Sequence, residues 1–248
     1  MNLTSNSTQC AFEKNVSSVK VVFIIVSSFI SILGAIGNLL LVYLFTKTAS
    51  RDVILAFLAF FDSLLCLLYS CIFGAEVVAV FFRVKLLYLL VFTLIIPAFV
   101  LSKIVQLVIP MVLIVSSIYR WSALTNRRFD CWRFLHRRKG QAIICTTLIL
   151  VAIAGHLPSG WAYQVKAMQP CPDFFRTREV WPTRFAATEF FYVYTLSMTS
   201  ARAAGVFATL LILDTAIVLT FRKQKRKRLR VLSQVDTSQL ATESEEAR

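Results

Sequence analysis

Charge is scarce in this sequence. Only 16% of its 248 residues are Asp, Glu, Lys or Arg, against 57% apolar residues, whereas about a quarter of a soluble domain is charged. Together with a mean hydropathy of +0.69, this excludes an ordinary globular fold and points to a membrane protein. Acidic residues are scarcer still: 13 Asp and Glu stand against 27 Lys and Arg, a formal charge of +14. In a chain this apolar the basic surplus belongs to short cytoplasmic loops, so no nucleic-acid partner is expected. The six cysteines, Cys10, Cys66, Cys71, Cys131, Cys145 and Cys171, contain no C-x-x-C pair, which removes the common zinc spacings; neither a metal nor another cofactor is expected. The N-terminus lacks the basic start of a cleavable signal peptide, and the first apolar run is too long for one, so it is expected to remain as a signal anchor. There is no internal repeat of fixed period and no C-terminal prenylation box.

What the chain does have is long apolar runs. Five of them, at about 19–45, 53–81, 86–118, 141–163 and 189–221, each exceed the roughly 20 residues that cross a bilayer. The expected fold is all-α, a polytopic membrane bundle of five helices within 19–221, whose surplus length implies tilt, kinks or extension into water. Pro97 and Pro110 each remove a backbone donor and are expected to bend the third run. Residues 1–18 are polar, and their three asparagines, Asn2, Asn6 and Asn15, all begin acceptor sequons, while Asn38 and Asn126 begin none. The N-terminus is therefore expected to be extracellular and glycosylated, and the C-terminus cytoplasmic. In that orientation the cytoplasmic side carries 16 Lys and Arg and the opposite side eight, the asymmetry that the positive-inside rule demands. The run from Arg222 to Arg230 then faces the inner leaflet, where it fixes topology and touches anionic lipid; a G-protein contact or a retention signal is the alternative. Residues 222–248 are expected to form a cytoplasmic tail, basic and then acidic, disordered beyond Arg230.

A few polar residues stand out within the spans. Gly34, Gly37 and Asn38 lie close together in the first, where small residues let helices approach and a buried Asn needs a partner. Asp62 in the second would cost roughly 2.5–3.5 kcal/mol to ionise in hydrocarbon. It is expected either to bond Asn38 and fix helix packing, or to serve as a cation or proton site. Lys103 in the third span and Arg202 in the fifth are candidate contacts for an acidic ligand, Arg202 through its fork of donors, with snorkelling toward a headgroup or cavity the plainer role. His156 reads as a structural hydrogen-bonding residue. Asp214 follows Arg202 by twelve residues, roughly 18 Å along a helix, so the two do not pair. No two of Asp62, Lys103, His156, Arg202 and Asp214 have the spacing of a nucleophile and base or of a metal site, so no catalytic residue and no enzymatic activity is expected. The third run ends in Tyr119-Arg120-Trp121, an arginine at the mouth of an apolar span followed by a basic loop, as at a cytoplasmic membrane boundary.

Gly37-Asn38 with Val42, Leu58-Ala59-x-x-Asp62, and Arg120 followed by an aromatic residue, in that order and spacing, resemble the rhodopsin-like G-protein-coupled receptors. LAFFDSLLCLLY and IIPAFVLSKIVQLVIPMVLI look more closely like orphan receptors of nematode type, near the peptide-receptor branch. The resemblance covers about Val21 to Arg230 and is strongest over the first three helices. It implies a seven-helix receptor at the plasma membrane that binds an extracellular ligand, with a neuropeptide as one candidate, and signals to a heterotrimeric G protein. Asn38 and Asp62 would join a polar network that in many such receptors holds a sodium ion. Tyr119, Arg120 and Trp121 would form the G-protein-facing switch.

The sequence also departs from the family pattern. Tyr119 replaces the acidic neighbour that clamps the arginine, leaving only a neutral acceptor. The fourth span lacks its tryptophan and the fifth its proline. No Cys occurs between Cys71 and Cys131 to tie the third helix to the second extracellular loop, so Cys171 would need Cys10 or Cys71 as partner, or stays a free thiol. With five spans instead of seven, the chain is expected to be a shortened product or an incomplete gene model of such a receptor, with retention in the endoplasmic reticulum a further expectation for a shortened form. The alternative is a non-signalling form that pairs with a full-length receptor and alters its trafficking.

Overall fold

All five apolar runs become helices in the computed structural model, which describes residues 18–47, 53–125, 138–168 and 173–246. Helix α1 is Ser18–Lys47. Helix α2, Val53–Tyr69, continues through a π-helical turn, Ser70–Gly74, into α3, Ala75–Phe81; α4 is Lys85–Thr125 and α5 is Arg138–Trp161. Helix α6, Glu189–Ser200, passes through a second π-helical turn, Ala201–Gly205, into α7, Val206–Glu246. Five stretches are long and apolar enough to cross a membrane: Val21–Lys47, Val53–Phe81, Lys85–Ser122, Lys139–Trp161 and Glu189–Arg226. The chain is thus a multi-pass membrane protein. Helices are the natural form of such runs because hydrocarbon offers no partner for a backbone group, so each segment closes its own hydrogen bonds.

Two helices overshoot the apolar runs. Helix α4 carries on past Arg120 to Thr125, and α7 runs on to Glu246, so the tail expected to lack structure has helical backbone. The physical reason is compositional: Val206–Glu246 contains neither Gly nor Pro, and extending an existing helix avoids the cost of nucleating a new one.

Helix α4 is the centre of the bundle, packing against α2, α5 and α7, while α1 lies on α2. Ile54, Phe61 and Leu68 form one face of α2 and meet Val105, Val108 and Val112 of α4 beside Ala152 of α5. Pro97 and Pro110 sit inside α4 without ending it. The α1–α2 seam is stitched by hydroxyls donating to backbone carbonyls: Ser31 to Cys66 at 2.8 Å, Ser63 to Ala35 at 3.1 Å and Ser70 to Ser28 at 3.3 Å. At its far end Gly74 lets the helices touch, since a Cβ there would stand 2.6 Å from the Ser28 hydroxyl oxygen. The expected bond between Asn38 and Asp62 is not part of this seam. Both side chains are half-buried, but Ser63 holds the facing position, and Asp62 is turned from it by about 100° around the helix.

One end of the bundle carries a β-hairpin in the stretch between the fourth and fifth spans. Strand β1, Tyr163–Ala167, pairs antiparallel with β2, Arg178–Pro182, Val165 opposite Val180. A short 3-10 turn, Phe174–Arg176, links them, capped by the Asp173 carboxylate accepting from the Phe175 N–H at 3.1 Å. Tyr88 of α4, only 1% exposed, anchors the hairpin: its hydroxyl accepts from the Arg178 N–H at 3.1 Å, and the rings of Phe174 and Phe175 stand 5.6 and 5.4 Å away. Here an aromatic contact joins α4 to the hairpin where the family resemblance implies a disulfide. Cys71 is exposed and unbonded among the described residues; Cys10, Cys171 and the sequon asparagines Asn2, Asn6 and Asn15 lie outside them.

Candidate functional site

Lys103 lies midway along the α4 span, on an apolar helix whose nearest polar companions are Ser102 and Gln106. Facing it is Arg202, inside the Ala201–Gly205 π turn. Such a turn adds a residue to a helical repeat and re-aims the side chains within it, which is why these turns recur at functional sites. The Arg202 guanidinium donates through Nη1 to Gln106 Oε1 at 2.7 Å, and Gln106 Nε2 in turn donates to the hydroxyl of buried Ser102 at 3.2 Å. Lys103 Nζ stands over the Phe99 ring at 5.1 Å from its centroid, and Phe99 meets Tyr163 of β1 edge-on at 5.5 Å. The cluster therefore lies toward the hairpin half of the bundle, with Lys103 held over an aromatic ring.

The α5 side supplies His156, 7% exposed. Tyr194 of α6 donates its hydroxyl proton to the Gly155 carbonyl at 2.6 Å and lies 3.4 Å from His156 Nδ1 and 3.3 Å from the Ser159 hydroxyl. Having given away its one proton, the tyrosine oxygen can only accept from the imidazole, so hydrogen-bond logic assigns the proton to Nδ1. That leaves the lone pair of Nε2 buried and without a partner. The Met198 methyl of α6 also lies against Gly155, where a Cβ would stand 3.1 Å from it.

Lys103 and Arg202 act on each other electrostatically, and both act on His156. Neither cation forms an ion pair among the described residues. Asp214, an exposed residue farther along α7, pairs with neither. Two like charges in a low-dielectric region are stabilised by a neighbouring anion, whereas the imidazole lone pair beside them can only accept from a donor.

Lys103, Arg202 and His156 were each visible in the sequence, and the fold brings them together. Gln106, Ser102, Tyr194 and Ser159, which orient them, were missed; of these only Gln106, three positions beyond Lys103, carried a signal. Asn38 and Asp62 stand apart in the α1–α2 region and share no hydrogen bond, and no group of three or more His, Cys, Asp or Glu side chains converges among the described residues. Arg120 is exposed at the opposite end of α4 from the hairpin, flanked by half-buried Tyr119 and Trp121, whose carbonyls accept from the Ser122 and Thr125 hydroxyls at 2.7 and 2.8 Å. In the basic run, Arg222, Lys223, Lys225 and Arg226 are exposed, while the side chains from Lys227 to Arg230 lie outside those described.

No protein-family model matches the chain, and no curated protein matches it.

Proposed function

We propose that this protein is a receptor-type membrane protein of rhodopsin-like plan, set in the plasma membrane with its N-terminus outside. In this reading an anionic extracellular ligand enters from the hairpin side and engages Lys103 and Arg202. The signal passes along α4 to Arg120, which meets a heterotrimeric G protein on the inner side. The observation that carries the reading is α4 itself, which touches three other spans, holds Lys103 at its middle and presents Arg120 at its far end. A ligand that binds Arg202 and Lys103 together bridges α4 to the π turn, and so favours whichever placement of α7 against α4 gives the better fit. The sequons and the basic asymmetry support the orientation.

The test is nucleotide exchange on purified G protein by the chain reconstituted in lipid vesicles. Arg120→Ala should reduce exchange by about tenfold or more, the effect of deleting one well-placed charged contact. Exchange at the unmutated rate would make Arg120 a mere marker of the membrane boundary.

A further inference from the structure

We infer that the Lys103–Arg202 cluster binds the carboxylate of an apolar organic acid. The inference rests on the ligand-binding part of the proposal above and on none of its signalling part.

Three features define the ligand. The first is that Arg202 does not escape to the interface. Arg202 is held inward by Gln106 at 2.7 Å, and Gln106 by buried Ser102 at 3.2 Å, so the usual relief of a membrane arginine, reaching along its stem toward water, is replaced by a tether.

The second is donor geometry. Gln106 takes only Nη1, which leaves the edge formed by Nε and Nη2 without a partner among the described residues. Two parallel N–H donors on a planar group match the two oxygens of a carboxylate. Lys103 adds a point charge beside them. A phosphate dianion fits less well: it is tetrahedral, and it carries a second charge into a low-dielectric region at a steeply higher desolvation cost.

The third is the rest of the lining. The Lys103 ammonium stands over the Phe99 ring, which packs edge-on against Tyr163, and the α4 span around it is apolar apart from Ser102 and Gln106, so the body of the ligand is apolar. Independently, buried His156 keeps Nε2 open within the field of both cations. It is an acceptor left for a donor that accompanies the carboxylate, as an amide N–H does in the last residue of a peptide.

The experiment compares acids with their uncharged counterparts on the full chain in detergent or nanodiscs, without G protein. The probes are N-acetylphenylalanine against N-acetylphenylalanine amide, and decanoate against decanol. At least one acid should raise the melting temperature in a saturable way while its neutral counterpart does not. A response to N-acetylphenylalanine points to a peptide terminus as the source, and a response to decanoate alone points to a free acyl chain. Arg202→Gln should weaken the responding acid by about tenfold or more, and Arg202→Lys, which keeps the charge but loses the fork, should bind at an intermediate strength. Equal responses to acid and neutral probe overturn the inference, as does an Arg202→Gln chain that binds the acid unchanged. The acid–neutral comparison needs no variant, so it decides even if the substitutions fail to fold. If the acid binds and Arg120→Ala leaves exchange unaltered, only the signalling proposal falls.

Discussion

Where α1 meets α2 and the first π turn, Ser31, Ser63 and Ser70 each end on a backbone carbonyl across the seam; between α4 and the second π turn, Arg202 ends on Gln106 with most of its donors unmatched among the described residues. Both seams place polar groups inside a membrane, yet they do opposite things with them. These three serines are neutral, short and matched by acceptors that the backbone supplies anyway, and the one buried side-chain atom of the seam without a partner among the described residues is the uncharged Ser28 hydroxyl, so their seam is close to closed. The cations are long, charged and only partly satisfied among the described residues, so theirs is left with donors to spare. Polarity alone does not single out a candidate site in a bundle; a tethered charge with most of its donors unmatched among the described residues does.

The sharpest way to break this contrast is to strike the closed seam where it is tightest. Gly74→Ala puts a Cβ 2.6 Å from the Ser28 hydroxyl oxygen and 3.2 Å from its Cβ, and should destabilise the chain by about 1–3 kcal/mol in detergent unfolding. Adding Ser28→Ala removes the nearer atom and should recover part of the loss; a double variant no more stable than the single one would locate the damage elsewhere. The open seam should behave in reverse. Arg202→Gln takes an unpaired charge out of the membrane, so the ligand-free melting temperature should hold or rise by the equivalent of up to about 1 kcal/mol. A clear fall would reclassify Arg202 as structural. Smallest is Ser63→Ala, which deletes one neutral bond to the Ala35 carbonyl and should cost about 0.6 kcal/mol, the average for such bonds in a membrane helix bundle. It should leave carboxylate binding untouched, and a change there would show that the two seams are coupled.

The five spans were legible because each is a long apolar run, and length alone decides what can cross a bilayer. The hairpin was not. Its five-residue strands carry Lys166, Arg178 and Glu179 among apolar residues, a pattern that reads as loop, and it is pinned by Tyr88, 90 residues from Arg178 in sequence. Helical backbone beyond Arg230 was missed for a different reason: polar composition signals poor burial, but says little about a helix that is already under way. For the site, Lys103 and Arg202 stood out as charges in apolar surroundings. That they share a cluster with Gln106 depends on a contact spanning 96 residues and on a π turn in ARAAG, a segment with no proline to announce it.

That turn divides its helix into two segments whose faces are indexed independently. Upstream of it, Tyr194 and Met198 key to α5; downstream, α7 keys to α4. In an α-helix one residue is worth about 100° of rotation and 1.5 Å of advance. If the extra residue of the turn were expelled, α7 would have to screw by about that amount while α6 stayed seated. Arg202 sits at the joint, so whatever holds its guanidinium also holds the angular setting of everything below it, out to the far side of the membrane.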